Sequence, residues 1–334
     1  MTMCYPEVSI IVPIYNVEKY IEKCSRSLFE QTFQSIEYIF VDDCSPDTSI
    51  DKIENILNDY PHRQEQCVFI RLANNSGPAT ARNIGLKRSK GQYIYFCDAD
   101  DWVDNLLIER LYNTAIYRHA DIVICDYYFV YDNKKIYYRA IDWTSEKVNS
   151  LREYIRKGYN VVWNLFVRSS IYKTNDINFI EGYTYGEDFN LSVKLIVKSV
   201  VIINLHEPLY YYNQTNTASV TAKINEKILY EEPMMCLNLM EWLKKENEYE
   251  HYADLLNWKV LNFKQNWLLS TKDFSKFTEI VPDSNKFILT CPYLNLKLKI
   301  MGWCLMHHLG FVSALFLCLR HLKQYYTKII KRKG

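Results

Sequence analysis

Tyr93-Ile94-Tyr95-Phe96-Cys97-Asp98-Ala99-Asp100-Asp101-Trp102 sets an aromatic and β-branched run against three carboxylates within four residues. The run reads as a buried strand, and in open α/β sheets the ligand crevice lies beyond the carboxyl ends of the strands. Placed there, Asp98, Asp100 and Asp101 repel one another unless a cation or hydrogen bonds offset their charge. Carboxylate oxygens suit Mg²⁺ or Mn²⁺, ions that leave coordination places for phosphate oxygens. A competing reading makes these acids caps of a helix expected to start near Val103, since Asp is favoured at N-caps and in first turns. One cap needs one acid, so three ask for a further role.

Upstream, Val8 to Val12 is an apolar run that Pro13 is expected to close, because proline cannot donate to a central ladder. Val17, Tyr20 or Ile21, Cys24 and Leu28 then fall at helical steps. Tyr38 to Val41 is a second buried strand, ended by Asp42-Asp43-Cys44-Ser45-Pro46-Asp47, and Ile50, Ile53, Ile56 and Leu57 mark a second helix. Val68 to Ile70 reads as strand, Gly77-Pro78 as a turn, and Ala81 to Lys90 as helix. Strands alternating with helices at this spacing imply βαβ units and a parallel sheet covered on both faces.

Downstream, Leu106, Leu107, Leu111 and Ala115 mark a helix, and Asp121 to Cys125 a strand. Residues 126–182 are rich in Tyr and Trp without regular period, which suggests a walled pocket or a sheet with irregular connections. Gly186-Glu187-Asp188 opens a helix carrying Leu191, Leu195 and Ile196, followed by a strand from Val200 to Leu205. From about Ile224 the pattern becomes long and helical. The expected organisation is a domain at 1–224 and a helical C-terminal region at 225–334.

With 49% apolar residues the chain can build a real core, and its ten cysteines include no Cys-x-x-Cys pair. That usage fits reduced thiols better than a zinc site or a disulfide framework. Met1 to Glu7 lacks a basic segment followed by an apolar core, so no signal peptide is expected and the chemistry is placed inside the cell. The net charge of +1 hides an asymmetry: residues 284–334 hold nine basic residues and no acid, leaving −8 on residues 1–283. A basic tail of this kind suggests an anionic partner, a nucleic acid or a membrane surface. No nucleic-acid-binding module is recognisable, so no nucleic-acid partner is expected. Gly302 to Arg320 is the most apolar stretch, but His307-His308 interrupt it. An interfacial helix followed by the basic segment Lys323 to Lys333 fits better than a spanning one, and a buried terminal helix stays open.

Taken together, the ordered set Val8-Ser9-Ile10-Ile11-Val12-Pro13-Ile14-Tyr15-Asn16, Val41-Asp42-Asp43-Cys44-Ser45, Gly77 with Ala81-Arg82-Asn83-Ile84-Gly85, Asp98-Ala99-Asp100-Asp101-Trp102 and Gly186-Glu187-Asp188 resembles the inverting glycosyltransferases of family 2. The resemblance runs from Val8 to about Ser219. It implies an α/β, GT-A-like nucleotide-binding domain with a mainly parallel central sheet flanked by helices, plus the helical C-terminal region. It also implies transfer of one sugar, with inversion, from a nucleoside-diphosphate sugar, UDP-linked by expectation, to a saccharide or lipid-linked saccharide acceptor in surface-polysaccharide synthesis. The enzyme would work in the cytoplasm against the inner face of the membrane, with peripheral contact through the C-terminal region.

By the same resemblance Pro13 and Tyr15 flank the uridine, and Asp43 accepts the imide hydrogen that uracil carries. Arg82 faces the base or the phosphates. Asp98 faces the ribose, and Asp100 holds the Mn²⁺ or Mg²⁺ that neutralises the departing diphosphate. Asp101 supports or caps. Asp188 is the candidate general base for the acceptor hydroxyl, with Glu187 and Trp163 positioning the acceptor. His206 is a weaker candidate for the diphosphate, set against a packed or solvent-facing histidine. Two residues depart from the pattern: Leu165 stands where many relatives carry Lys after Trp-Asn, and Asn213 where Arg commonly follows the Tyr-rich strand. A phosphatase of the haloacid dehalogenase type also uses Asp-x-Asp, but Asp101-Trp102 does not fit its following residues. A sugar-nucleotide-binding scaffold without turnover is the non-enzymatic alternative.

Overall fold

The computed structural model describes residues 5–157, 161–216, 226–270, 274–311 and 313. The chain divides into two compact units, Met1–Lys223 and Ile224–Gly334.

In the first unit, β1 (Val8–Ile14), β2 (Ile36–Asp42), β3 (Cys67–Arg71) and β4 (Tyr93–Phe96) pair in parallel in the order β3-β2-β1-β4. Helices α1 (Ile21–Phe29), α2 (Ser49–Leu57) and α3 (Pro78–Arg88) connect them. Uniformly buried β2 and β4 explain why their apolar runs do not alternate: both faces are covered. Pro13 does not close β1, which continues to Ile14 opposite Asp42. The reason is local: β4 pairs with β1 only as far as Ile11, so the missing N–H at Pro13 removes no bond from that side.

Beyond β4 the sheet turns mixed. Trp102 and Val103 form a short strand, β5, antiparallel to Tyr211 and Tyr210, instead of opening a helix. The helix α4 (Leu107–Tyr117) starts one turn later, where the Asp104 carboxylate accepts from Leu106 N–H. β6 (Ile122–Tyr131) turns back as β7 (Lys134–Tyr138). Then come α5 (Lys147–Lys157), β8 (Leu165–Arg168), α6 (Ser169–Asn175), α7 (Glu187–Lys198) and β9 (Ile202–Asn213). The full order is β3-β2-β1-β4-β8-β6-β9-β5, with β7 on β6. β8 runs antiparallel to both β4 and β6, while β9 runs parallel to β6 through a bulge at Cys125–Tyr127. Of the nine strands described, β1 to β4, β6 and β9 therefore run the same way, so the expectation of a mainly parallel sheet holds, with β5, β7 and β8 as its antiparallel members.

The aromatics of 126–182 mostly enter this core. Tyr127, Tyr154 and Trp163 are buried, and the cavity that Tyr127 and Tyr154 border with Tyr138, Trp143 and Asn164 is about 10 Å³, room for one water and not a sugar.

The second unit consists of α8 (Glu226–Lys245), α9 (Ala253–Ser270), α10 (Ser275–Glu279) and α11 (Leu296–Met306) with short 3-10 turns. Its core gathers Leu229, Leu261, Trp267, Phe277, Ile288, Leu298 and Met301. Lys264 is buried there, donating to Val281 carbonyl, Ser284 Oγ and Asn285 Oδ1, and burial pushes its amine down to about 7. The start of the apolar stretch at Gly302 thus belongs to a packed helix, whereas residues 314–334 lie outside the described residues. Among the described residues no helix is long and apolar enough to cross a membrane.

Gly91 marks a close approach between β4 and β1. A Cβ there would stand 2.5 Å from Ser9 backbone nitrogen, and Gly91 N–H donates to Ser9 Oγ. Gly91→Ala must push apart two backbones and is expected to destabilise the first unit by about 1–3 kcal/mol, seen as a lowered thermal midpoint.

Candidate functional site

β4 ends at Phe96, so Cys97 to Asp101 leave the sheet at its carboxyl edge. Their backbone is held from β9. Asp98 N–H donates to Tyr210 Oη at 3.2 Å, and that hydroxyl donates to Asp101 Oδ2 at 2.6 Å. Asn213 N–H donates to Asp101 Oδ1 at 2.7 Å, and the Asn213 amide donates to the Asp100 carbonyl at 3.1 Å. Asp101 is 1% exposed with both oxygens engaged, so it braces the loop. Burial, with Asp100 and Asp98 adding repulsion, holds its carboxyl well above the usual range.

Asp100 is half-buried. Asn216 donates to its Oδ2 at 2.8 Å. Burial first, and Asp98 second, raise its carboxyl, and one amide bond does not offset them. Such a carboxylate would be relieved by a hard cation, and its oxygens suit Mn²⁺ or Mg²⁺. Among the described residues no three Asp, Glu, His or Cys side chains gather into a metal cage. An ion at Asp100 would therefore draw most of its ligands from diphosphate and water, as Mg²⁺ commonly does.

Asp98 points to a second centre. The guanidinium of Arg82, from the first turns of α3, reaches Asp98 Oδ1 at 2.8 Å, Asp188 Oδ1 at 3.2 Å and Glu187 Oε1 at 3.4 Å. Its side chain is 6% exposed, against 25% for Asp98 and 19% for Asp188. Glu187 and Asp188 open α7 directly after Gly186, which sits at φ +80°. Asp188 is pushed up to about 6 by burial; Arg82 opposes the shift and Asp98 adds to it. Arg82 is thus tied to carboxylates, where the resemblance had it facing base or phosphates.

Asp43 closes the other side. Its two oxygens accept from Ser76 N–H at 2.7 Å and Gly77 N–H at 2.8 Å. Gly77 takes φ +89°, a backbone setting that side chains rarely adopt and that aims both amides at one carboxylate. The loops after β1 and β2 are pinned together, Asn16 N–H donating to Ser45 Oγ and Glu18 N–H to Asp47 Oδ2. Above this seam Pro13 is half-buried and Tyr15 is 47% exposed, an open ring beside a rigid rim.

Comparison with known proteins gives the family. The family model for glycosyl transferase family 2 matches residues 9–175, half of the chain. The chain belongs to glycosyl transferase family 2. It is 34% identical over 225 residues to the Bacillus subtilis glycosyltransferase EpsJ, covering 65% of this chain and 63% of EpsJ. It is 28% identical over 255 residues to the Staphylococcus aureus poly(ribitol-phosphate) beta-N-acetylglucosaminyltransferase TarS, covering 74% of this chain and 42% of TarS. The chain thus spans less than two thirds of either relative. The crystal structure of TarS 1-349 with UDP-GlcNAc superposes with a TM-score of 0.69 at 22% identity over 92% of this chain and 89% of that one. A Pyrobaculum calidifontis mannosyltransferase with GDP-Man and Mn²⁺ gives 0.53 at 14% identity, over 95% and 88%. Both likenesses show the GT-A fold.

Trp163 does not face an acceptor. It is 1% exposed and stacks flat on Tyr210, centroids 4.2 Å apart. It is a core residue that fixes Tyr210. His206, a candidate for the diphosphate, lies between Asp126 and Asp142 at 3.3 and 2.9 Å. Tyr210, Asn213 and Asn216 carry site contacts that no motif assigned. The Tyr-rich strand signalled them only as a strand, because their partners lie over 100 residues upstream. Asn213, met as a departure from Arg, is suited by its short amide to bond the Asp100 carbonyl.

Removing Arg82 leaves three carboxylates facing one another. Arg82→Met is expected to destabilise the fold by about 3–5 kcal/mol at pH 7.5, measured by chemical denaturation. The deficit should shrink toward pH 5, where Asp188 takes up a proton and one uncompensated charge disappears.

Proposed function

We propose that the chain transfers one sugar from a UDP-sugar to a saccharide acceptor, with inversion, and that Asp188 is the general base. The observation that carries the reading is Arg82: one guanidinium holds the donor-side acid Asp98 and the candidate base Asp188 in the same buried cluster. The acceptor and the electrophilic carbon would then meet between α7 and the end of β4. In that step the acceptor oxygen attacks the anomeric carbon while the bond to the diphosphate oxygen breaks. Its proton passes to Asp188, and the bonding pair leaves with UDP. Arg82 keeps Asp188 aligned. Tyr15 and Asp43 serve the uracil from the rim, and Glu187 orients the acceptor. Asp100 would hold Mn²⁺ or Mg²⁺, whose charge stabilises the departing diphosphate.

Family membership, the UDP-GlcNAc complex of TarS and the poly(ribitol-phosphate) named for TarS support the donor and the setting. The nine basic residues after Asp283 support contact with an anionic membrane face, and with it a reading of work at the cytoplasmic side. Because Ser284 to Met306 lie in the packed second unit, that contact is tested by removing residues after Ser313; unchanged sedimentation with vesicles would refute it.

A panel of UDP-, GDP-, dTDP- and CMP-sugars, with and without Mn²⁺, tests the donor. One UDP-sugar is expected to raise the melting temperature only with metal, and Asp100→Asn to abolish the rise; no shift with any nucleotide would overturn the reading.

The pH profile tests the base. Asp188 must be ionised to accept a proton, so kcat/KM should fall about tenfold per unit below the value near 6 set by its burial. The same shift has an opposite sign for stability. A carboxyl whose folded value exceeds its unfolded one, about 4, favours the fold most at low pH, and this contribution is lost as pH rises through 6. Asp188→Asn is expected to reduce transfer at least about 100-fold while UDP still binds.

A further inference from the structure

The sheet that buries Tyr210, Tyr127 and Trp163 on one side has a second, wetter side. The strand registers place Trp102 opposite Tyr211, Tyr211 opposite Tyr128 and Tyr128 opposite Tyr137. These four aromatics form one row across β5, β9, β6 and β7. Trp102 and Tyr211 stack at 5.6 Å and 7°, Tyr211 and Tyr128 at 5.6 Å and 19°, and Tyr137 meets Tyr128 edge-on at 6.1 Å. Tyr137 is 48% exposed and the other three are half-buried. With the faces stacked, the row presents ring edges. Among the described residues the Tyr128 and Tyr211 hydroxyls and the Trp102 indole N–H have no protein hydrogen-bond partner.

Two cations complete the row. Lys23 Nζ, from α1, sits 3.1 Å from the Trp102 ring centre, and Lys135 Nζ, from β7, sits 4.9 Å from that of Tyr211. Both are exposed, and among the described residues neither has an acidic partner. Burial and the charge of Lys135 lower the Lys23 amine, so two ammoniums are held near each other without compensation. The row also adjoins the acids. Trp102 follows Asp101 in the chain, and Asn213, two residues beyond Tyr211, bonds the Asp100 carbonyl.

We propose that Trp102, Tyr211, Tyr128 and Tyr137, with Lys23 and Lys135, bind an anionic acceptor chain, a saccharide or polyol polymer carrying phosphodiester groups, and lead it to the edge at Asp100. The Tyr128 and Tyr211 hydroxyls and the Trp102 N–H suit hydroxyl-rich chains, and unpaired ammoniums suit the charges along them. Four strands spaced about 4.8 Å apart give a track about 14 Å long, which fits a polymer rather than a single ion. The proposal rests on the transferase reading, and it names the acceptor for that site.

The test uses the full chain, wild type and K23E/K135E, with poly(glycerol phosphate), dextran of equal length, polyglutamate and phosphatidylglycerol vesicles as probes, and UDP with Mn²⁺ alongside. Wild type is expected to bind poly(glycerol phosphate) at least about tenfold more tightly than dextran or polyglutamate, and K23E/K135E to lose about tenfold or more. UDP affinity should stay within about twofold, since the lysines do not touch the donor acids. Tyr128→Phe with Tyr211→Phe should weaken polymer binding several-fold through the lost hydroxyls. Equal polymer binding by wild type and variant, no binding by wild type, equal binding of polyglutamate, or vesicles being the ligand the variant loses would each overturn the proposal. Loss of UDP binding in wild type would count against the transferase reading alone, with the polymer arm still deciding the surface. If K23E/K135E melts early, K135A on the exposed hairpin strand takes its place: weaker polymer binding supports the track, and unchanged binding overturns it.

Discussion

A single buried guanidinium sets the terms for the first unit. Arg82 comes from α3, Asp98 from the end of β4, and Glu187 and Asp188 from the start of α7, so three elements converge on one cation. Three carboxylates and one guanidinium do not neutralise one another. Burial, with the charge of Asp98 adding to it, pushes Asp188 up to about 6 in spite of Arg82. That direction suits the role proposed for Asp188, the base for a hydroxyl.

The acids after β4 are organised by a different interaction, hydrogen bonding from β9. Tyr210 ties Asp98 backbone to Asp101 carboxylate, and Trp163 stacks against Tyr210 to keep it there. Asp101 absorbs the bracing, while Asp100 accepts from the Asn216 amide. This division explains three acids in four residues: one joins the Arg82 cluster, one is held by Asn216, and one holds the loop. The mixed half of the sheet is what makes it possible, because only an antiparallel β5 carries Asp101 past Tyr210 and Asn213.

The same strands sort their aromatics by pleat. Tyr210, Tyr127 and Tyr138 face the core side, and Tyr211, Tyr128 and Tyr137 the other. In sequence these are undifferentiated Tyr pairs. A register shift of one residue would exchange core and surface, so their roles are decided by pairing and not by composition.

Much of the fold was legible along the chain. Apolar runs located β1, β2 and β4, the last two ending in acids, because strands buried on both faces need continuous apolar residues, and the helices between them followed from a 3.6-residue period. Pattern also brought out Tyr15, Asp43, Arg82, Asp98, Asp100, Glu187 and Asp188, whose residue types and order carry the family resemblance. Tertiary structure decided the rest. Trp102 became strand because Tyr211 lay beside it, Trp163 became core because Tyr210 covered it, and Arg82 turned to carboxylates because α7 delivered two of them. Each depends on partners between about 50 and 110 residues away, and local propensity carries no information about which distant strand or helix will arrive.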